Sequence, residues 1–158
     1  MAQEPHKEEG FEETEEALAA LLRPFRAFIT YFPLRSEVPF REYVRLPEDA
    51  LEYLIEPRAS LDPDVEALRA KNVAGQMKTA VLIPGRRFDA TGTRHGQGGG
   101  WYDRFLKAVP QEWLRIGFCF DAQFSEMPLR RESWDQAVDT VVVIGAQGTT
   151  LHDTRARA

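Results

Sequence analysis

Apolar residues near the start of the chain recur at helical spacing. Leu18, Leu21, Leu22, Phe25 and Phe28 share one face of a helix predicted from Glu15, with Pro24 as the point where it bends or ends. Phe28–Phe32, "FITYF", then reads as a short strand. "YVRLPEDALEYLIEP", Tyr43–Pro57, is compatible with short strands or with a helix around Ala50–Ile55, and the pattern does not choose. "LDPDVEALRAK" predicts a helix more firmly: Asp62 suits the N-cap, Pro63 the first helical position, and Asp64 and Glu66 the positive end of the dipole. Later, "TAVLIP" (Thr79–Pro84), "RIGFCF" (Arg115–Phe120) and "TVVVIG" (Thr140–Gly145) are runs of strand length without polar alternation, as in strands covered on both faces. Between the first two, Trp101, Tyr102, Phe105, Leu106 and Val109 form a helical stripe closed by Pro110. The expected fold is α/β, three layers of α/β/α around a mostly parallel central sheet.

Length and charge narrow this picture. A chain of 158 residues suits one core. The expected division is an acidic, disordered tail at 1–16, a single domain over 17–146, and a frayed tail at 147–158, where "TTLHDTRARA" shows no strong pattern. The first 16 residues hold seven glutamates and one lysine, so they contribute −6 of the net −5 and leave the remainder near +1. Net acidity argues against nonspecific nucleic-acid binding. No apolar run approaches a membrane span and no secretory signal is visible, so the expectation is a soluble, cytoplasmic protein, monomeric or homodimeric. The single cysteine, Cys119, reads as core.

The candidate chemistry lies in "RHGQGGGWYDRFL", Arg94–Leu106, which packs four glycines into five positions just ahead of the helical stripe. Gly96, Gly98, Gly99 and Gly100 allow successive backbone N–H groups to converge on an anion, the helix adds its N-terminal dipole, and Arg94 and Arg104 bracket the loop. That describes a phosphate cradle, although neither the Gly-x-x-x-x-Gly-Lys-Ser/Thr loop nor the dinucleotide fingerprint is present. A tight glycine turn before a helix is the plainer alternative. Asp103, in the first helical turn, is either a dipole-favoured surface acid or a Mg²⁺ ligand, since Mg²⁺ takes one or two carboxylates plus phosphate oxygens. Trp101 and Tyr102 are either core or one wall for a flat substrate ring.

Val81–Leu106 followed by Ile116–Val143 resembles the C-terminal half of the 5-formyltetrahydrofolate cyclo-ligase family. The shared order is a strand ending in Pro-Gly, a Phe-Asp, the Arg-x-Gly-x-Gly-Gly-Gly-x-Tyr-Asp-Arg loop, a strand with a following Gln, a Met-Pro, and Asp-x-x-Val-Asp before the last strand. Upstream, "FITYFPLRSEV" and "YLIEP" resemble the family's first strand and its Glu-Pro segment. The resemblance implies use of Mg²⁺ and ATP to convert 5-formyltetrahydrofolate into 5,10-methenyltetrahydrofolate. It places Arg94, Gly96, Gln97, Gly98, Gly99 and Gly100 against the ATP phosphates, with the Pro84–Gly85 turn near the nucleotide. It makes Arg94, Tyr102 and Arg104 catalytic candidates, Asp103 and Asp135 the Mg²⁺ candidates, and Glu37, Trp101 and Tyr102 the reduced-folate side of the pocket. Asp135 also suits a simple turn cap.

Several positions depart from the family pattern. Where the family opens with a helix bearing Lys-x-x-x-Arg, this chain has a glutamate-rich stretch with only Lys7, and Glu37 to Glu56 is short. His95, Gln97 and Trp134 are further changes. His95 is either a proton shuttle or a loop-packing residue, and Arg86, Arg87, Arg130 and Arg131 either meet an anionic ligand or are solvated. Two classes of function follow: a cyclo-ligase, or a non-catalytic nucleotide- or folate-binding relative that has lost the N-terminal cations. A different ATP-dependent ligase on the same scaffold is a third.

Overall fold

The computed structural model describes residues 15–56, 61–96 and 100–155. The expected acidic tail up to residue 14, the loop residues Gln97, Gly98 and Gly99, and residues 156–158 lie outside the described residues. In chain order the strands are β1 (Ala27–Tyr31), β2 (Leu51–Ile55), β3 (Thr79–Pro84), β4 (Arg87–Asp89), β5 (Arg94–His95), β6 (Leu114–Phe120), β7 (Phe124–Ser125), β8 (Thr140–Gly145) and β9 (Gly148–Asp153). The helices are α1 over residues 15–22, α2 (Pro63–Ala74) and α3 (Trp101–Ala108).

The central sheet has the order β2-β1-β3-β6-β8-β9. Its first five strands run parallel, and β9 pairs antiparallel with β8. β1, β3 and nearly all of β6 and β8 are buried, as their unbroken apolar runs predict for strands covered on both faces. On one face, α2 and α3 pack over Ile29, Val81, Ile83 and Cys119. On the other, Leu18 and Leu22 of α1 and the β1–β2 crossover, through Val38 and Phe40, cover Phe28, Leu82, Ile116 and Phe118. These are the three layers expected. Cys119 is core, and burial pushes its thiol up to about 12, with the nearby Asp121 charge adding to the effect.

Local chemistry explains the element ends. The Asp62 carboxylate accepts hydrogen bonds from the N–H groups of Asp64 (2.8 Å) and Val65 (3.3 Å), so α2 starts where its cap predicts, and it ends at Gly75 with φ +55°. α1 stops at residue 22, ahead of Pro24, and Phe28 belongs to β1 rather than to the helix. Ala50–Ile55 resolves as strand β2 from Leu51.

The expected frayed tail from residue 147 is corrected. Gly145 and Gly148 pair across a two-residue turn, and Gly148–Asp153 runs back along β8 as an edge strand. Its half-exposed positions lack the alternation that marks a strand in sequence. Among the described residues, no helix is long and apolar enough to cross a membrane.

A second, smaller sheet, β5-β4-β7, sits over the α3 side of the central one. Its anchor is Phe88, whose ring lies against Gly85 and Gly117; a Cβ on Gly85 would come within 2.8 Å of that ring, and one on Gly117 closer still. Glycine at these two positions makes room for one aromatic side chain.

Candidate functional site

The strand order places a topological switch point between β1 and β3. From β1 the chain crosses outward to β2, whereas from β3 it steps the other way to β6, so the loops leaving β1 and β3 diverge at the carboxyl ends of adjacent strands. Open α/β sheets bind ligands at such switch points. Here the β1 loop carries Glu37, and the β3 loop runs through Pro84, Gly85 and Arg94 to the glycine stretch.

The glycine stretch lies between β5 and the N-terminus of α3, as a phosphate cradle requires. Gly100 is the N-cap at φ +68°, a left-handed conformation that suits glycine, while the space around its absent Cβ is open. Arg94, in β5, reaches back to the end of β3. Its Nε donates to Pro84 O at 2.5 Å and its guanidinium lies 4.9 Å from the Tyr102 ring centre. A Cβ on Gly96 would meet the guanidinium at 2.5 Å, so glycine there leaves Arg94 its place. Tyr102 itself is 1% exposed, a core residue that supports Arg94 from below.

Asp103 follows on the first turn of α3 and is half-buried. Its Oδ1 accepts the Gln136 N–H at 2.9 Å. Burial raises its carboxyl above the ordinary range; the Gln136 N–H and the Arg94 charge pull it down, and the Asp135 charge pushes it up again. The Asp103 and Asp135 carboxylates therefore feel one another. Asp135 also caps its own turn by accepting the Glu132 N–H at 2.8 Å, so the capping reading holds for one of its oxygens. Two hard oxygen donors beside an arginine fit Mg²⁺, which completes its shell with water and phosphate oxygens, and the described residues hold no cluster of three or more Asp, Glu, His or Cys that would form an all-protein cage.

Glu37 is 3% exposed, and its Oε1 accepts the Leu34 N–H at 2.8 Å, closing the turn after β1. Gln123 ties that turn to the end of β6: its Nε2 donates to Ser36 O at 2.9 Å while its Oε1 accepts the Phe120 N–H. Exposed aromatic surface nearby comes from Tyr43, which is 40% exposed and edge-on to Phe120 at 6.3 Å.

Most of the other candidates have protein partners of their own. The Trp101 indole stacks on Phe105 at 5.4 Å and donates to Leu61 O at 3.0 Å, which commits it to joining α3 to the start of α2. The Arg104 side chain is 61% exposed and lies 3.9 Å from Asp64 on α2. His95 contacts Arg130 O through Nε2 at 2.7 Å, the loop-packing arrangement. Arg130 pairs with Glu132, Arg131 bonds to Thr93 and Thr91, and Arg86 and Arg87 are exposed beside Gly85.

The residue that sequence reasoning passed over is Asp89, the acid of the Phe-Asp pair. It is 1% exposed; Oδ1 accepts from Thr91 N (2.9 Å), Thr91 Oγ1 (2.7 Å) and Thr93 N (3.0 Å), and Oδ2 from Leu129 N (2.7 Å). Burial opposes its charge, yet the hydrogen bonds from Leu129, Thr91 and Thr93 outweigh burial and hold the carboxyl below its ordinary value. One buried carboxylate thus fastens the loop ahead of Arg94 to the segment after Met127–Pro128. The sequence-level signal was the pairing of Asp89 with Thr91 and Thr93, typical of an Asx turn.

Fold and strand order together define an open α/β protein with a strand switch point between β1 and β3. The 5-formyltetrahydrofolate cyclo-ligase family model matches residues 42–144, well over half of the chain, and the chain belongs to that family. A curated 5-formyltetrahydrofolate cyclo-ligase from Mycoplasma genitalium is 33% identical over 64 residues, which is 40% of this chain and 38% of that relative's length. A solved structure of a 5,10-methenyltetrahydrofolate synthetase from Mycoplasma pneumoniae has a TM-score of 0.53 at 19% identity, covering 89% of this chain and 88% of that one, and shares the fold.

Proposed function

We propose that the chain converts 5-formyltetrahydrofolate to 5,10-methenyltetrahydrofolate at the expense of ATP. The observation that carries this reading is the approach of Arg94 and Asp103 at the head of α3, in the switch-point crevice of a chain from this family. In the proposed reaction the γ-phosphoryl group of ATP passes to the formyl oxygen and turns it into a leaving group. N10 then attacks the formyl carbon, and phosphate departs as the ring closes. Positioning and charge stabilisation are what such a reaction asks of a protein. Arg94, held by Pro84 O and the Tyr102 ring, supplies a fixed cation at the phosphates, and the N–H groups around Gly96–Gly100 supply neutral donors. Asp103, with Asp135 beside it, would hold Mg²⁺, which neutralises phosphate charge when bound. The Glu37 turn and the Tyr43–Phe120 edge form the opposite lip, where the folate would lie.

One placement favours a second reading. Arg104, the other cation expected at the loop, points to Asp64 instead. An Arg104 held away from the loop would withdraw a cation that phosphoryl transfer uses. On that reading the chain binds nucleotide or folate without turnover.

Single-turnover assays at high protein concentration separate the two. Mg²⁺, ATP and 5-formyltetrahydrofolate are mixed and methenyltetrahydrofolate absorbance is followed, with Arg94→Ala and Asp103→Asn as controls. Signal lost in both variants supports the ligase. Absence of signal while calorimetry still records ATP or folate binding overturns it in favour of the binding protein.

A further inference from the structure

The two carboxylates assigned to the metal come from different parts of the chain, Asp103 from α3 and Asp135 from the turn before β8. Something must fix the distance between them. Arg115, at the start of β6, is 5% exposed and bonds to both of the segments that carry them. Its Nη2 donates to Leu106 O at 2.8 Å, one helical turn along α3 from Asp103, and its Nη1 donates to Gln136 Oε1 at 3.1 Å, on the residue next to Asp135. The Gln136 N–H closes the circuit on Asp103 Oδ1 at 2.9 Å. Beneath it, the Arg115 N–H donates to Asp139 Oδ2 and its carbonyl accepts the Asp139 N–H, so the strand and the Asp-x-x-Val-Asp segment are locked in register.

The chemistry of the guanidinium points the same way. Arg115 Nε is buried without a hydrogen-bond partner among the described residues. A buried cation with one idle donor stabilises a fold poorly, and an apolar side chain of similar size is often no worse. What an apolar side chain lacks is a rigid planar fork that grips two carbonyl oxygens in fixed relative positions. We infer that Arg115 is a positioning residue that holds the Asp103 and Asp135 carboxylates at the spacing a divalent cation needs, acting through Leu106 O and Gln136. The inference rests on the proposed reading of those two acids as metal ligands.

The test uses the full chain, with Mn²⁺ as a paramagnetic stand-in for Mg²⁺ and a non-hydrolysable ATP analogue. Mn²⁺ affinity is read by electron paramagnetic resonance, and amide hydrogen exchange is read residue by residue. In Arg115→Met, the Gln136 amide should exchange faster and the Mn²⁺ Kd should rise about tenfold, the lower end of what loss of an outer partner costs a metal site. Affinity for the analogue in EDTA should not change. Arg115→Lys should fall between, because an ammonium cannot span both oxygens in the same geometry. If Arg115→Met loosens the whole sheet, seen as faster exchange at Val81 and Val142, Gln136→Leu decides: it removes the Oε1 acceptor and keeps the N–H to Asp103, and the Mn²⁺ Kd should still rise. Unchanged Mn²⁺ affinity in these variants, with or without faster exchange at Gln136, overturns the inference. Failure of the unaltered protein to bind Mn²⁺ with the analogue overturns the metal-site reading itself, and the inference with it.

Discussion

The central sheet and the small β5-β4-β7 sheet lie against each other and are held together by different physics. The first is an apolar sandwich: Phe118, Leu82, Val81 and Ile83 are buried to within 1% exposure, and burial is forgiving about direction. The second has few residues and, beside the Phe88 ring that anchors it to the first, one buried carboxylate, Asp89, that gathers four donors with directional bonds. The switch point lies in the first, and the glycine stretch proposed to hold phosphate follows β5 of the second. Stability and site geometry are therefore separable to an extent that one uniform core would not allow.

The most severe break in the comparison should come from the sandwich. Phe118→Ala is expected to cost about 3–5 kcal/mol of global stability in urea unfolding, while nucleotide affinity per folded molecule stays within a factor of two or so. A loss of affinity as large as the loss of stability would show that the two regions are one unit.

Asp89→Asn should produce the reverse. An amide cannot accept from both sides, so its NH₂ faces a donor where a carboxylate oxygen stood, at a cost of about 1–3 kcal/mol. Amide exchange at Thr93 and Leu129 should quicken with little change at Val81, and nucleotide affinity should fall. Equal acceleration at all three amides would contradict a locally fastened platform.

Acidity sharpens the contrast, because the two acids are shifted in opposite directions. Asp89 is held below its ordinary value of 3.8, so its contribution is fully present above that pH and is lost as pH falls through its lower folded value. Acid unfolding of the unaltered protein should steepen below pH 3.8, and Asp89→Asn should lack that part of the slope. Asp103 is raised, so ionising it costs stability as pH climbs from 3.8 through its higher folded value. Asp103→Asn should unfold at a slightly higher temperature than the unaltered protein at pH 7, even as it loses turnover. A lower melting temperature would mean that Asp103 serves the fold rather than the site.

The smallest effect is expected at His95. His95→Ala removes one side-chain contact to Arg130 O, worth about 1 kcal/mol. The kcat profile between pH 5 and 8 should keep its shape, and a missing limb would restore the proton-shuttle reading.

What could be seen in the sequence divides along the same line. Runs such as "TAVLIP" and "TVVVIG" announce buried strands by composition, and Asp62–Pro63 announces a helix start, because these signals depend on neighbours in the chain. The glycine stretch and the Tyr-Asp pair stand out in the same way, because they too are signals of chain neighbours. Invisible were the partners across space: Leu129 on Asp89, Gln136 on Asp103, Leu61 on Trp101. The contacts of Trp101 and Arg104 with α2 and the segment just before it were equally out of view, and β9 escaped notice because an edge strand half in water needs no pattern.

Phe88 carries a consequence for how this chain can vary over generations. One ring occupies the space that two missing side chains, at Gly85 and Gly117, leave open. Neither glycine can be exchanged while the ring stays; a smaller residue at position 88 relieves the closest crowding at both, with Arg94 Cγ still 3.1 Å from a Cβ at position 85. The three positions should drift together, 85 and 117 diversifying only in sequences where 88 has shrunk. A deep mutational scan in the Phe88→Leu background would show that permission as a gain in tolerance at two sites separated by β4 and α3.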